Sequence, residues 1–360
     1  MNGELEAARL LLTRLGITPE QLVQAGGHTA IQIPTFSDYI GQVALSVSPA
    51  SRRLYSTYWK RIEKEWGTRR LDEPTALEIK QLAERTKASA VVRSNARGGR
   101  GAAEHLITAL RCIYSYAVAD GLIPEAANPA IRVAKPRRLP STRRALPPDR
   151  LTDIIRVAAT TGNDPDLDSL LLRIHIETAC RRGGALALRR ADLDPDQCLV
   201  LLREKGETVR WQPVSPTLMQ QLLTHHTERG HTDQQEQLLR YRNGNPITRR
   251  RYDHLWIRIG KHLPWVATQE ISTHWLRYTT LTWVERHFSY AVARAYAGHT
   301  GKSDIGTTST YVQADLGEVA TALAALSNED HPLAVPRDHA TRDTPTHRNE
   351  PCLPAVGLGA

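Results

Sequence analysis

The sequence predicts a mainly α-helical fold with one small β-sheet, and three observations point there. Apolar residues recur at helical spacing through residues 35–130 and through most of 149–326. One stretch alternates instead: CLVLLREKGETVRWQPVS, residues 198–215, carries a glycine turn at 206 and reads as a β-hairpin. Between the two helical regions lies KPRRLPSTRRALPP, residues 135–148, with four prolines and five basic residues in fourteen. Prolines at that density exclude a helix and favour an extended segment.

Taken in order, ELEAARLLLTRL at 4–15 has a helical pattern. TPEQLVQ starts a second helix, with Thr18 as N-cap and Pro19 at its first position. Gly26, Gly27 and Pro34 break the chain, so residues 1–34 form an accessory helix pair. Residues 35–134 form a helical domain from TFSDYIGQVALS, SPASRRLYSTYWKRIEKEWG, TALEIKQLAERT and AAEHLITALRCIYSYAVADG. Ser48-Pro49 and Thr75 act as cap signals, with Gly67 and Gly121 as stops. SNARGGRGAA is expected to be a flexible basic loop. The segment 135–148 is an interdomain linker, either an ordinary solvated spacer or a basic strap.

Residues 149–326 make the second domain. Its helices are DRLTDIIRVAATTG, DLDSLLLRIHIETA, GGALALRRADL, PTLMQQLLTHHTER, RRRYDHLWIRIGKHL, THWLRYTTLTWVERH, YAVARAYAGH and DLGEVATALAALS. Residues 327–360 lose periodicity and read as a disordered tail.

The chain of 360 residues carries a net charge of +9, and only eight of its 47 basic residues are lysines. That balance favours a polyanionic partner, nucleic acid above all, and arginine suits forked contacts to phosphate. The same arginine excess would follow from codon bias in a GC-rich gene. No apolar run is long enough to span a bilayer, and the N-terminus lacks the pattern of a signal peptide. Four cysteines without CxxC spacing point neither to zinc nor to a disulfide framework, so the expectation is a soluble cytoplasmic protein with no membrane partner.

Several catalytic motifs are absent: HExxH, GxSxG and a GxGxxG after a strand. GHTGKSD lacks the first glycine of a P-loop, since residue 296 is Tyr. His225, His226 and His231 sit at a polar helix end and do not read as a metal site. What remains is a set of basic groups in four segments: ETACRRGGALALRRADLD, LREKGETVRW, STHWLRYT and AYAGHTGKSDIGTTSTYVQA. Each alone is an ordinary piece of helix or hairpin; their order and spacing carry the argument.

Those four segments, in that order, resemble the signature of the tyrosine recombinase (phage integrase) family. The resemblance covers residues 149–326 and implies an α-rich tyrosine recombinase catalytic domain. More loosely, residues 35–134 resemble the helical, SAM-like core-binding domain that precedes it. Carried over residue by residue, it makes Arg181 the first catalytic arginine, Lys205 in the hairpin the catalytic lysine, and His274 and Arg277 the His-x-x-Arg pair. His299 is the later histidine and Tyr311 the nucleophile. Three departures stand out. Ala179 replaces the usual glycine. Gly184 stands where many relatives carry an acidic residue. Twelve residues separate His299 from Tyr311 against the commoner nine, which would put Thr308 in the nucleophile's place. Tyr290 and Tyr296 precede the histidine on an apolar helix and read as packing.

The chemistry of these side chains agrees. Attack on a phosphodiester puts charge on its nonbridging oxygens, which Arg181 and Arg277 can stabilise with forked hydrogen bonds. A phenol with an ordinary pKa near 10 needs help, which His274 can give as a base. Lys205 can protonate the leaving 5′ oxygen, and His299 can orient the phosphate. The resemblance implies site-specific recombination through a 3′-phosphotyrosine intermediate, with no metal or cofactor. Its partners would be double-stranded DNA recombination sites in the nucleoid, bound by a homotetramer, with any accessory protein unknown. Expected phosphate contacts are Arg137, Arg138, Arg143 and Arg144 in the linker, and Arg52, Arg53, Lys60, Arg93, Arg97 and Arg100 in the first domain. Two alternatives stay open: DNA relaxation of the type IB topoisomerase kind, and a DNA-binding regulator without catalysis.

Overall fold

The computed structural model describes residues 2–18, 32–91, 97–137, 139, 141, 143–204, 208–229, 233–299 and 314–335. The chain divides into two compact units, Met1–Pro140 and Ser141–Ala360. The fold is mostly helical with one three-stranded sheet among the described residues.

In the first unit, α1 spans Asn2–Arg14, and the second expected helix of this region, from Thr18, falls on residues 19–31, outside the described residues. Four helices follow: α2 (Phe36–Ser46), α3 (Pro49–Trp66), α4 (Ala76–Ala88) and α5 (Arg100–Ala119). The expected caps Ser48 and Thr75 stand at the starts of α3 and α4: Ser48 accepts from the Ser51 N–H, and Thr75 and Glu78 form a reciprocal capping box; Thr35 caps α2 in the same way, accepting from the Asp38 N–H. Phe36, Trp66 and Tyr114 meet at the centre of the unit, with the Phe36 ring 5.7 Å from Trp66 and edge-on to Tyr114 at 6.1 Å. The expected loop SNARGGRGAA is shorter than the sequence suggests. Arg97–Gly99 form a 3₁₀ turn and Arg100 already opens α5, because Gly98 (φ 63°) and Gly99 (φ 71°) take the left-handed bend that lets the helix start there.

The second unit begins within the proline-rich segment, and its first helix, α6 (Pro148–Thr160), has Pro148 at its first position. Its centre is α7 (Pro165–Thr178), whose residues 167–178 are all buried. Such a helix tolerates Asp168, Arg173, His175 and Glu177 only because each has partners. Asp168 accepts from Arg251 Nε at 2.7 Å and from Arg258 Nη2 at 2.5 Å. Arg173 donates to Glu177 at 2.6 Å and to Glu329 at 2.7 Å. Asp168 has no exposed side-chain surface and Arg251 only 6%. Removing the carboxylate leaves buried guanidinium charge uncompensated, so Asp168→Ala is expected to lower the unfolding free energy by about 3–5 kcal/mol in a urea titration. A loss below 1 kcal/mol would contradict this account.

The helix expected at GGALALRRADL is interrupted. Only Arg182–Leu186 is α-helical (α8). A 3₁₀ turn, Arg190–Asp192, then feeds a strand absent from the sequence reading, β1 (Leu193–Asp194), which pairs with the hairpin. The hairpin strands are β2 (Leu199–Glu204) and β3 (Thr208–Pro213), antiparallel, with Leu202 opposite Arg210; the turn at 205–207 lies outside the described residues. Then come α9 (Pro216–Arg229), α10 (Arg249–His262), the short α11 (Pro264–Thr268), which the sequence reading did not separate, α12 (Thr273–His287), α13 (Tyr290–Tyr296) and α14 (Leu316–Ser327).

Helix α14 packs Val319, Ala322, Leu323 and Leu326 against Val284, Val292 and Tyr296 of its own unit. Of the unstructured tail expected from residue 327, the part at 336–360 lies outside the described residues. Residues 328–335 are folded onto the unit: Glu329 binds Arg173 and the Thr217 N–H, and buried His331 donates from Nε2 to the Cys198 carbonyl, 3.2 Å away, while its Nδ1 accepts from the Leu333 N–H. No helix among the described residues is long and apolar enough to cross a membrane.

Candidate active site

The site forms where α7 ends. Ala179, its C-cap, takes the left-handed conformation (φ 48°) that usually falls to glycine, at a strain of about 1–2 kcal/mol. Burial of its methyl group among Val284, Val292 and Tyr296 offsets part of that cost. The turn delivers Arg181 as the N-cap of α8. His175 fixes the turn from behind: its Nδ1 lies 3.1 Å from the Cys180 carbonyl, and its Nε2 3.0 Å from the Tyr252 hydroxyl. The carbonyl can only accept, so Nδ1 carries the proton and Nε2 accepts from Tyr252.

Arg277 reaches the same place from α12. Its guanidinium is 5% exposed and donates from Nη1 to the Ala179 carbonyl and from Nη2 to the Ala297 carbonyl at 2.8 Å. These bonds join the end of α7 to the end of α13, two residues before His299. Burial, then the charge of Arg181, lower the Arg277 pKa to about 10, while Glu204 opposes the shift. His274 lies one helical turn before Arg277 and is exposed. Desolvation lowers its pKa, assisted by the charges of Arg143, Arg277 and Arg181. His299 shifts the same way, through desolvation and then Arg277, Arg181, Arg294 and Arg210. Both shifts favour the neutral form of the ring, the form that can accept a proton.

Thus Arg181, the His274–Arg277 pair and His299, from three separate stretches of sequence, meet electrostatically, with Arg181 and Arg277 acting on both imidazoles. Lys205 and Tyr311 lie outside the described residues, as do Arg93 and Arg138. Of the remaining expected phosphate contacts, Arg52, Arg53, Lys60, Arg100, Arg137 and Arg144 are exposed; Arg97 has its backbone in the 3₁₀ turn. Arg143 is half-buried and near enough to depress His274, since Leu146 N–H donates to Thr279 Oγ1 at 2.9 Å and ties the linker's end to α12.

Tyr296 is packing, fully buried with its hydroxyl donating to the Glu177 carbonyl. Tyr290 departs from that expectation: it is 53% exposed, because it opens α13 beside Arg294 rather than facing the core.

Two further residues were missed by the sequence reading. Glu204, with no exposed side-chain surface, accepts from the Arg181 backbone N–H and from Arg181 Nη1 at 3.1 Å. Arg210 crosses beneath, donating to the Thr178 carbonyl at 3.4 Å and to Gln212. Period-two alternation was the available signal: Glu204 follows Val200 and Leu202 on the buried face, and Arg210 lies opposite Leu202. Gly298 makes room for Arg210: its φ is 67°, and a Cβ there would sit 2.5 Å from Arg210 Nε.

The buried histidines set an acid limit. Burial lowers the pKa of His175 and of His225 from 6.5 to about 4. Between those values the unfolded chain binds protons that the folded chain refuses, so stability is complete above pH 6.5 and is lost as pH falls toward 4. At 1.36 kcal/mol per unit, His175 alone contributes on the order of 3 kcal/mol. The urea midpoint should fall clearly between pH 7 and pH 5; a flat profile would contradict the neutral-ring assignment.

Residues 144–317 match the family model described as the phage integrase family. A curated relative, tyrosine recombinase XerC of Chlamydia caviae, is 29% identical over 154 residues, covering 41% of this chain and 47% of the relative. The chain therefore aligns with about half the length of that relative. Among solved structures, a lambda integrase tetramer bound to a Holliday junction is similar at TM-score 0.59 and 14% identity, over 84% of this chain and 88% of that one. The Tn1549 transposon integrase in complex with circular intermediate DNA gives TM-score 0.57 at 17% identity, over 76% and 97%. At these identities the likeness is one of fold.

Proposed function

The chain belongs to the phage integrase (tyrosine recombinase) family through residues 144–317, and on that premise we propose that it is a site-specific DNA recombinase with Tyr311 as nucleophile. The observation that carries the reading is the convergence of Arg181, Arg277, His274 and His299, with the guanidinium charges depressing both imidazoles. A pocket of fixed positive charge with neutral proton acceptors suits a phosphodiester whose transition state gains negative charge.

In the proposed step the Tyr311 phenolic oxygen attacks phosphorus and passes its proton to His274. The bond from phosphorus to the 5′ oxygen breaks, and that oxygen takes a proton from Lys205. The products are a 3′-phosphotyrosine and a free 5′-hydroxyl. The covalent intermediate retains the bond energy, so a hydroxyl from a second duplex can reverse the step and exchange strands without ATP. Arg181 and Arg277 hold the nonbridging oxygens, and His299 hydrogen-bonds the phosphate. The partners are two double-stranded sites in the nucleoid, bound by four copies of the chain. Residues 35–134 and the strap at 135–148 contribute phosphate contacts that position the protein rather than read bases.

The test is a nicked suicide duplex built from the junctions that flank the gene. A covalent adduct mapped by peptide sequencing to Tyr311 supports the reading. Absence of any adduct on the proper site sinks it, and an adduct on Thr308 or another tyrosine moves the nucleophile only. The strap has its own signature. Arg143→Ala with Arg144→Ala removes two phosphate contacts, so the slope of log K against log salt should flatten by roughly 1.8. An unchanged slope would remove these arginines from the interface.

A further inference from the structure

We propose that Glu204 is the positioning residue for Arg181, supplying from strand β2 the carboxylate that a side chain on residue 184 would otherwise bring; this rests on Arg181 acting in the recombinase reaction. The Glu204 side chain has no exposed surface. Its Oε1 accepts from the Arg181 backbone N–H and its Oε2 from Arg181 Nη1 at 3.1 Å, so one carboxylate holds both the backbone and the head of the same arginine. Arg210 Nη2 lies 3.9 Å from the same Oε2, and Glu204 also stabilises the charge on Arg277. Two guanidiniums thus lie against one buried anion, and a third feels its charge. A charge-assisted pair at such a place fixes geometry as well as charge.

Gly184 completes the argument. A Cβ there would lie 3.1 Å from Glu204 Cγ and 3.3 Å from Oε1. The carboxylate on β2 and any side chain on residue 184 compete for one volume, so glycine at 184 is what lets Glu204 reach Arg181. Glycine at 184 and glutamate at 204 are two halves of one arrangement. It puts the orienting carboxylate on the hairpin, next in sequence to Lys205. A shift of the hairpin would then move the carboxylate that orients Arg181 as well.

The experiment compares single-turnover adduct formation on the nicked duplex for the wild type, Glu204→Gln, Glu204→Ala and the double variant Gly184→Asp with Glu204→Ala. DNA affinity and melting temperature are measured for each. Glu204→Gln should slow the adduct step on the order of tenfold to a hundredfold at unchanged DNA affinity, because Arg181 loses its orientation rather than its charge. The double variant should recover most of the rate lost by Glu204→Ala, since a carboxylate grown from residue 184 enters the emptied space. A purely structural ion pair would lose rate only in step with melting temperature and would gain nothing from Gly184→Asp. Should Glu204→Gln fail to fold, the double variant decides. A double variant no faster than Glu204→Ala, or one that does not fold, overturns the proposal. A wild type that forms no adduct sinks the recombinase reading. A wild type that cleaves beside an equally fast Glu204→Gln sinks this inference alone.

Discussion

The Tyr311→Phe variant is expected to bind its DNA site with wild-type affinity and to form no covalent adduct, a loss of roughly 10⁴-fold or more in single-turnover cleavage. The size of the effect follows from what the substitution removes. Phenylalanine keeps the ring but lacks the oxygen that bonds to phosphorus, so no weakened version of the same step remains. The flanking hydroxyls of Thr308 and Thr310 have alkyl pKa values far above a phenol's, and neither is a substitute nucleophile at neutral pH. Gel separation of the adduct under denaturing conditions reads this directly. Residual adduct at even a tenth of the wild-type rate would move the nucleophile elsewhere. Candidates are limited, since Tyr296 is buried with its hydroxyl committed to the Glu177 carbonyl.

Most helices were legible because their ends carry chemical signals. Ser48 and Thr75 cap where the sequence places them, Thr35 and Asp315 cap in the same way, and Pro148 and Pro216 open helices that need no N–H at that position. The failures were of two physical kinds. At GGALALRRADL the apolar spacing suits a helix, yet tertiary pairing with β2 turns Leu193–Asp194 into a strand, which no local propensity reveals. At 328–335 the composition reads as tail, yet two polar anchors, Glu329 and His331, hold it to the unit through partners more than a hundred residues away in sequence.

The site divides the same way. Arg181, His274, Arg277 and His299 could be picked from motif order, but that Arg277 is a buried brace between two carbonyls could not. Glu204 escaped because a lone glutamate beside a lysine looks like surface charge until the strand's alternation is followed inward.

Arg277 should therefore carry two separable effects. Arg277→Lys keeps a positive charge but not the fork. An ammonium cannot donate along two fixed directions to the Ala179 and Ala297 carbonyls and still present a donor to a phosphate. Losing one oriented donor to the transition state should slow adduct formation by roughly 10²–10³-fold. Arg277→Ala loses the brace as well. The guanidinium is 5% exposed, and each buried carbonyl left without its donor costs about 1–3 kcal/mol, so this variant should also unfold at clearly lower urea concentration. Part of that destabilisation is offset, because the deleted guanidinium was desolvated by burial and then repelled by Arg181, both of which lower its pKa. Rate and stability should thus separate: the lysine variant loses mainly rate, and the alanine variant loses both. A lysine variant that cleaves at the wild-type rate would show that Arg277 serves the fold alone. The electrostatic role would then fall to Arg181, and with it the weight now placed on the Glu204 carboxylate.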